Sequence, residues 1–198
     1  MRHAVIFAHP NADSFTAAVA QAYEAACRRL GHEVLKRDLY RLSFDPRLGS
    51  GELPFAPDFT PAPDVVLERA LLQNCDIFAF VYPLWLNSPP AMMKGYLERV
   101  FGFGFAYGGG GHSYNPLLGG RKFISFSSSG APTFWMEQTG SLGAVHALFD
   151  DYFASLTGMA ALEHVHAGSV THGASEFFVR ARLDDVGRIV KKHFGGMA

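Results

Sequence analysis

Three short segments carry most of the side chains that could do chemistry. The first is His9-Pro-Asn-Ala-Asp-Ser-Phe-Thr16. It offers an imidazole and the hydroxyls of Ser14 and Thr16 where a helix should begin, and the unpaired backbone N–H groups of a helix start favour an anion. There is no Gly-Lys-Ser/Thr and no G-x-G-x-x-G there, so this is neither a P-loop nor a dinucleotide fingerprint. The same residues read equally as an ordinary helix cap. The second segment is Pro83-Leu84-Trp85-Leu86, in the middle of the apolar stretch Phe78–Phe101. Its side chains could pack against a planar aromatic ring, or simply close the core. The third is Ser127-Ser128-Ser129-Gly130. Small residues let a ligand approach the backbone, and their hydroxyls can hydrogen-bond a heterocycle. The order is not the G-x-S-x-G of a serine-hydrolase elbow.

Other chemistries find less support. The chain has nine histidines but no H-E-x-x-H or comparable metal spacing. His164-Val-His166 would place both rings on one face of a strand, where solvent-facing or hydrogen-bonded histidines are expected rather than a metal pair. Cys27 and Cys75 form no CxxC and read as two buried thiols. Lys and Arg number 17 against 18 Asp and Glu, for a formal net charge of −1. Without a basic run, nucleic acid is not an expected partner. The balance also speaks against an acidic electron carrier that docks by charge.

These segments need elements to hold them. The 198 residues, 48 % of them hydrophobic, suffice for one domain spanning 1–198 with a full core. Continuous apolar runs at 3–8 and 75–82, with shorter ones at 33–36, 121–127 and 160–165, read as strands buried on both faces. Helical patterns fall between them: one capped by Ser14 and ended by Gly31, then 64–74, 90–101, 145–156 and 175–194. Between 38 and 63 the pattern fails, with five prolines, and a long surface connection is expected in which Phe44, Phe55 and Phe59 pack. Residues 102–120 are glycine-rich, and 128–143 read as a loop with at most the start of a helix. Alternating strands and helices imply an α/β fold whose parallel sheet is covered on both faces. Ligands of such sheets sit beyond the carboxyl ends of the strands, which gathers 9–16, 83–90, 127–130 and 166–172 at one edge. No signal peptide or membrane span is read, and a cytoplasmic location is expected.

With those motifs in place the chain resembles the flavodoxin-like NAD(P)H:quinone oxidoreductases, a group that includes quinone reductases, modulators of drug activity and ancillary flavoproteins of potassium efflux. The resemblance rests on Ala8-His9-Pro10 with Ser14-Phe15-Thr16-Ala17-Ala18, on Tyr82-Pro83-Leu84-Trp85 continuing to Pro90-Ala-Met-Met-Lys-Gly95 and Phe101, and on Gly104-Phe-Ala-Tyr107 leading to Gly120-Arg-Lys122. It implies a flavodoxin-like doubly wound sandwich with a five-stranded parallel sheet, a bound flavin and a homodimer with active sites between subunits. Carried over by position, His9, Ser14, Phe15, Thr16 and Ala18 would surround the flavin phosphate. Pro83, Leu84, Trp85 and Leu86 would hold the isoalloxazine, and Ser127, Ser128, Ser129 and Gly130 would run along its polar edge.

Tyr107, His112, Tyr114 and Trp135 are the expected substrate contacts. Trp135 and Ser141 stand where well-known members carry a Tyr and a His that serve proton transfer, a departure from the pattern. The implied reaction is ping-pong: a hydride passes from NAD(P)H to the flavin, and then to a quinone-like acceptor. The 42–46 and 64–99 segments most resemble FAD-using members, so the resemblance implies FAD, with FMN as the alternative. Alternatives are azo- or nitro-compound reduction by the same flavin, or a regulatory flavoprotein that partners a membrane transporter.

Overall fold

The computed structural model describes residues 1–54, 56–109 and 114–196. Phe55 and His112, both singled out from the sequence, lie outside the described residues. β1 (Arg2–Phe7), α1 (Phe15–Arg29) and β2 (Glu33–Asp38) precede the long connection, which makes one 3₁₀ turn at Ser50–Glu52. Then come α2 (Pro63–Leu72), β3 (Ile77–Pro83) and α3 (Ala91–Val100). A short antiparallel hairpin of β4 (Tyr107–Gly108) and β5 (Asn115–Pro116) leads to β6 (Lys122–Ser128). After it run α4 (Thr133–Gln138), α5 (Ser141–Val145), a π-helical stretch His146–Asp151 and α6 (Tyr152–Thr157). β7 (Ala160–Ala167) and α7 (Glu176–Phe194) complete the fold.

Five strands form one sheet in the order β2-β1-β3-β6-β7, with every neighbouring pair parallel. Side chains alternate across it, as the period of a strand requires. On one face Ala4, Ile6, Phe78, Phe80 and Phe123 pack with α2, α3 and the helical run 141–157; on the other Val5, Phe7, Val81, Ile124 and Phe126 pack with α1 and α7. The fold is therefore the doubly wound, flavodoxin-like sandwich expected.

Several local expectations are revised or sharpened. The segment 128–143 is not a loop but holds α4, whose six aromatic-rich residues bury only Met136 and so show no apolar period. The helix expected from 145 begins at Ser141 and widens into π geometry over His146–Asp151. β7 runs past Val165 to Ala167, so His166 lies within the strand. The glycine-rich region carries the β4–β5 hairpin, and Pro90 sits at the N-cap of α3 rather than in its first turn.

The long connection is held by buried charge. Arg99 on α3 is 4 % exposed and donates from Nε to Glu52 Oε2 at 2.8 Å and from Nη2 to Glu52 Oε1 at 3.0 Å. It also grips Asp64 at 2.7 and 2.9 Å and donates to the Asp45 carbonyl. Its guanidinium stacks over Phe44, 5.0 Å from the ring centre. Burial works to raise the Glu52 and Asp64 carboxyls, but the hydrogen bonds from Arg99 prevail and hold both below their usual range. A second buried charge, Glu68 of α2, takes Arg37 from β2 and the Tyr96 hydroxyl of α3, the latter at 2.7 Å. Gly95 explains itself here: a Cβ at that position would lie 2.1 Å from the Pro46 carbonyl, so the connection lies directly on the helix backbone.

Two predictions follow from this packing. Arg99→Ala strands the carboxylates and should cost about 3–5 kcal/mol in urea unfolding at pH 7. The depressed Glu52 and Asp64 contribute stability above the unfolded carboxyl range of about pH 4 and lose it as pH falls through their folded values, so the gap between variant and wild type should narrow progressively as pH is lowered below about 4. A gap that does not narrow on acidification would sink the account. Gly95→Ala should lower stability by about 1–3 kcal/mol through overpacking, read in the same titration.

Candidate functional site

All four segments expected at the carboxyl edge meet there. They enclose a cleft of about 410 Å³ lined by His9, Ser14, Phe15 and Thr16 on one side, by Pro83, Leu84 and Trp85 on another, and by Ser128, Ser129, Gly130 and Val170–His172. Ser14 caps α1, its hydroxyl accepting the Ala17 N–H at 3.2 Å. The amides of Phe15 and Thr16 precede the first intrahelical donor, so they remain for a ligand. His9 Nδ1 lies 3.1 Å from Asn11 N and 3.2 Å from Asn11 O, which pins the ring and leaves Nε2 for the cleft. Arg41 clamps the same loop through the carbonyls of His9 and Pro10, at 2.8 and 2.7 Å.

The turn after β3 is built as a wall. Leu84 N–H donates to the Ser128 carbonyl at 2.7 Å, tying it to the serine turn. Trp85 and Ser88 exchange both backbone hydrogen bonds, at 2.9 and 3.1 Å, around Leu86 and Asn87. Both central residues have positive φ, +51° and +57°, as in the primed hairpin turns. The result leaves Trp85 44 % exposed, its ring centre 5.9 Å from that of His9. An aromatic plane, a helix N-terminus and a hydroxyl-bearing turn thus converge on one cavity within the size range of small-molecule sites.

Some candidates fall elsewhere. Leu86 is wholly exposed at the tip of its turn and does not line the cleft. Ala18 stands behind the first turn of α1, its N–H spent on the Ser14 carbonyl at 3.0 Å. Ser127 is buried, its side chain turned into the sheet interior. The Ser129 N–H is already committed to the Ala167 carbonyl at 3.0 Å. Tyr107 lines a second, largely apolar cleft of about 630 Å³ between α3 and the 141–157 helical run, bordered by Leu97, Phe101, Leu148 and Tyr152. Tyr114 packs edge-on to Tyr107 with ring centres 5.3 Å apart. Trp135 is half exposed on α4 and lines neither cleft.

Behind the serine turn lies a polar cluster that sequence spacing did not reveal. His164 and His166 share one face of β7, as the alternation requires, and both meet Ser127: His164 Nε2 at 2.6 Å and His166 Nδ1 at 2.8 Å. His164 Nδ1 lies 2.5 Å from Asp150 Oδ2, and Ser125 donates to Asp150 Oδ1 at 2.8 Å. His166 Nε2 reaches Ser129 Oγ at 3.0 Å. Ligating atoms of His146, Asp150 and His164 fall within 4.8 Å of one another. Both nitrogens of His164 and both oxygens of Asp150 are already hydrogen-bonded, however. Burial, followed by the neighbouring histidines, pushes His166 down to about 4, and burial with His164 also lowers His146. Asp150 gave no sequence signal because its partners lie on β6 and β7.

Known proteins share this fold. Residues 1–188 match the family model described as flavodoxin-like fold. An uncharacterized NAD(P)H oxidoreductase of Haemophilus influenzae is 42 % identical over 108 residues, 54 % of this chain and 54 % of that protein. NAD(P)H dehydrogenase [quinone] 1 of Cavia porcellus is 31 % identical over 163 residues, 73 % of this chain and 58 % of that protein. The chain thus spans little more than half the length of these curated relatives. The solved NAD(P)H:quinone oxidoreductase of Methanothermobacter marburgensis superposes with a TM-score of 0.82 at 23 % identity, covering 98 % of this chain and 96 % of that one. With the strand order, the edge cleft and a family match over nearly its whole length, the chain belongs to the flavodoxin-like family.

Proposed function

We propose that the 410 Å³ cleft holds a flavin and that the protein passes a hydride from NAD(P)H to a quinone-like acceptor. The observation that carries this reading is the convergence of free helix-start amides, the exposed Trp85 plane and the Ser128–Gly130 turn on one cavity. The names of the relatives, NAD(P)H oxidoreductase and NAD(P)H dehydrogenase [quinone], support it.

A bound flavin would supply the two-electron chemistry that no side chain can. The amides of Phe15 and Thr16, with His9 Nε2, would take its phosphate. Pro83, Leu84 and Trp85 would fix the ring plane, and the Ser128 hydroxyl and Gly130 backbone would meet its polar edge. The role of these residues is to set ring, donor and acceptor face to face, which is a proximity effect. Donor and acceptor would occupy the open side of the cleft in turn, in ping-pong order. FAD, with FMN as the alternative, is the flavin inferred from the sequence. A second copy of the chain would cover the apolar 630 Å³ cleft, where Leu148 and Tyr152 are 79 % and 65 % exposed, and bring Tyr107 and Tyr114 toward an acceptor. Among the described residues no helix is long and apolar enough to cross a membrane.

The test begins with the purified protein. It should be yellow or become so with added flavin, and heat release against standards will name FAD or FMN. The loaded protein should oxidise NADH or NADPH with menadione as acceptor; failure with both donors and all acceptors would dispose of the reductase reading. Trp85→Ala should weaken flavin binding about tenfold, in line with about 1.4 kcal/mol for a lost aromatic face, by fluorescence titration.

A further inference from the structure

We propose that Asp150, His164, Ser127, His166 and Ser129 form a proton relay that delivers one proton from the sheet interior to the ligand cleft. This rests on the function proposed above, but its geometry stands alone. Five groups follow one another without a gap: Asp150 to His164 at 2.5 Å, His164 to Ser127 at 2.6 Å, Ser127 to His166 at 2.8 Å and His166 to Ser129 at 3.0 Å. The last of them lines the cleft. The first is buried, and Ser125 holds its other oxygen.

The donors and acceptors of this chain can be arranged in two complete ways. In one, His164 carries protons on both nitrogens and donates to Asp150 and to Ser127 Oγ. The Ser127 hydroxyl then donates to His166 Nδ1, His166 Nε2–H donates to Ser129 Oγ, and the Ser129 hydroxyl donates to the Ala131 carbonyl, 2.9 Å away. In the other, His164 keeps only its Nδ1 proton, on Asp150. The Ser127 hydroxyl points to His164 Nε2, His166 carries its proton on Nδ1 toward Ser127, and the Ser129 hydroxyl points to His166 Nε2.

The two arrangements differ by a single proton. Passing from the first to the second, with the Ser129 hydroxyl first turning from the Ala131 carbonyl to the cleft, breaks the His164 Nε2–H, Ser127 O–H, His166 Nε2–H and Ser129 O–H bonds in turn. It forms Ser127 O–H, His166 Nδ1–H, Ser129 O–H and one new bond to hydrogen on the acceptor in the cleft. Reducing a quinone to its hydroquinone takes a hydride and one proton, and NAD(P)H supplies only the hydride. The chain supplies the remaining proton and is reloaded from solvent between turnovers.

The surroundings favour one mobile proton rather than several. The groups facing His164 are Tyr82 on β3, with ring centres 6.3 Å apart, His146 and Asp150 on the 141–157 helical run, and His166 on its own strand; Asp151 adds its charge beside His146. His146 and His166 are both disfavoured as cations by burial, and the one buried carboxylate of this cluster meets His164.

The experiment is a pH titration of the protein with ¹⁵N-labelled histidine, followed by NMR through the ring nitrogens. His166 should move from the Nε2–H to the Nδ1–H tautomer at the same midpoint at which His164 loses its second proton. Ser127→Ala should uncouple them: His166 should keep one tautomer throughout while His164 titrates alone. Ser129→Ala, which alters only the cleft end, should leave His164's loss of its second proton visible even if Ser127→Ala misfolds. In flavin-loaded protein both variants should slow the half-reaction with the acceptor about ten- to a hundredfold, more at alkaline pH. Separate midpoints for His164 and His166 in the wild type, a fixed His166 tautomer, or zinc found on His146, Asp150 and His164 by elemental analysis would each overturn the relay. Linked tautomers in a protein that takes no flavin would uphold the relay and remove the proposed function instead.

Discussion

A carboxylate taken out of water must be met by donors, and Asp150 sets that demand at the centre of this molecule. It is 6 % exposed, and an unpaired charge at such a site costs several kcal/mol. Its two oxygens are answered by Ser125 and His164, so β6 must carry a hydroxyl at the level where β3 carries Phe80, its partner in register. The π-helical widening over His146–Asp151 belongs to the same requirement, because it holds His146 and Asp150 against β7. Single π turns of this kind occur often at functional sites. Strand periodicity then extends the polar line at no further cost in fold. Ser125 and Ser127 share one face of β6, as His164 and His166 do on β7. In a parallel sheet that face runs toward the edge where ligands bind. A buried charge and an edge cleft are thereby joined by consecutive alternate residues.

The frame was legible in the sequence because its signals are local. The apolar run of β1 and β3, the Ser14 cap and the alternation of strand with helix fix a doubly wound sheet, and its ligand edge follows from topology alone. His9, Ser14, Trp85 and Ser128 could be gathered at that edge for the same reason. What remained hidden depends on distant pairs. Arg99 is buried because the connection folds back over α3 with Glu52 and Asp64, partners far from it in the chain. Leu86 reads as part of an apolar wall, yet a positive φ at the turn tip throws it outward. Ser127 reads as cleft lining, yet its position in the alternation turns it inward to the histidines. His164 and His166 could be placed on one face, but nothing near them in the chain announced Asp150.

The turn after β3 shows why the cleft is rigid. A leucine held at φ +51° costs on the order of 1 kcal/mol relative to a relaxed backbone, and no glycine was used to avoid it. The conformation persists because Trp85 and Ser88 bond each other twice, and because Asn87 Nδ2 reaches across to the Ser141 carbonyl at 3.0 Å. That bond fastens the turn to the start of the helical run that carries Asp150. Pro83, Leu84 and Trp85 face the 410 Å³ cleft, while Asn87, Ser88 and Pro89 face the 630 Å³ one, so a single strained turn forms a wall of both. The strain is stored where the two clefts and the helical run carrying Asp150 meet, which is where the proposed hydride and proton delivery would need a fixed geometry.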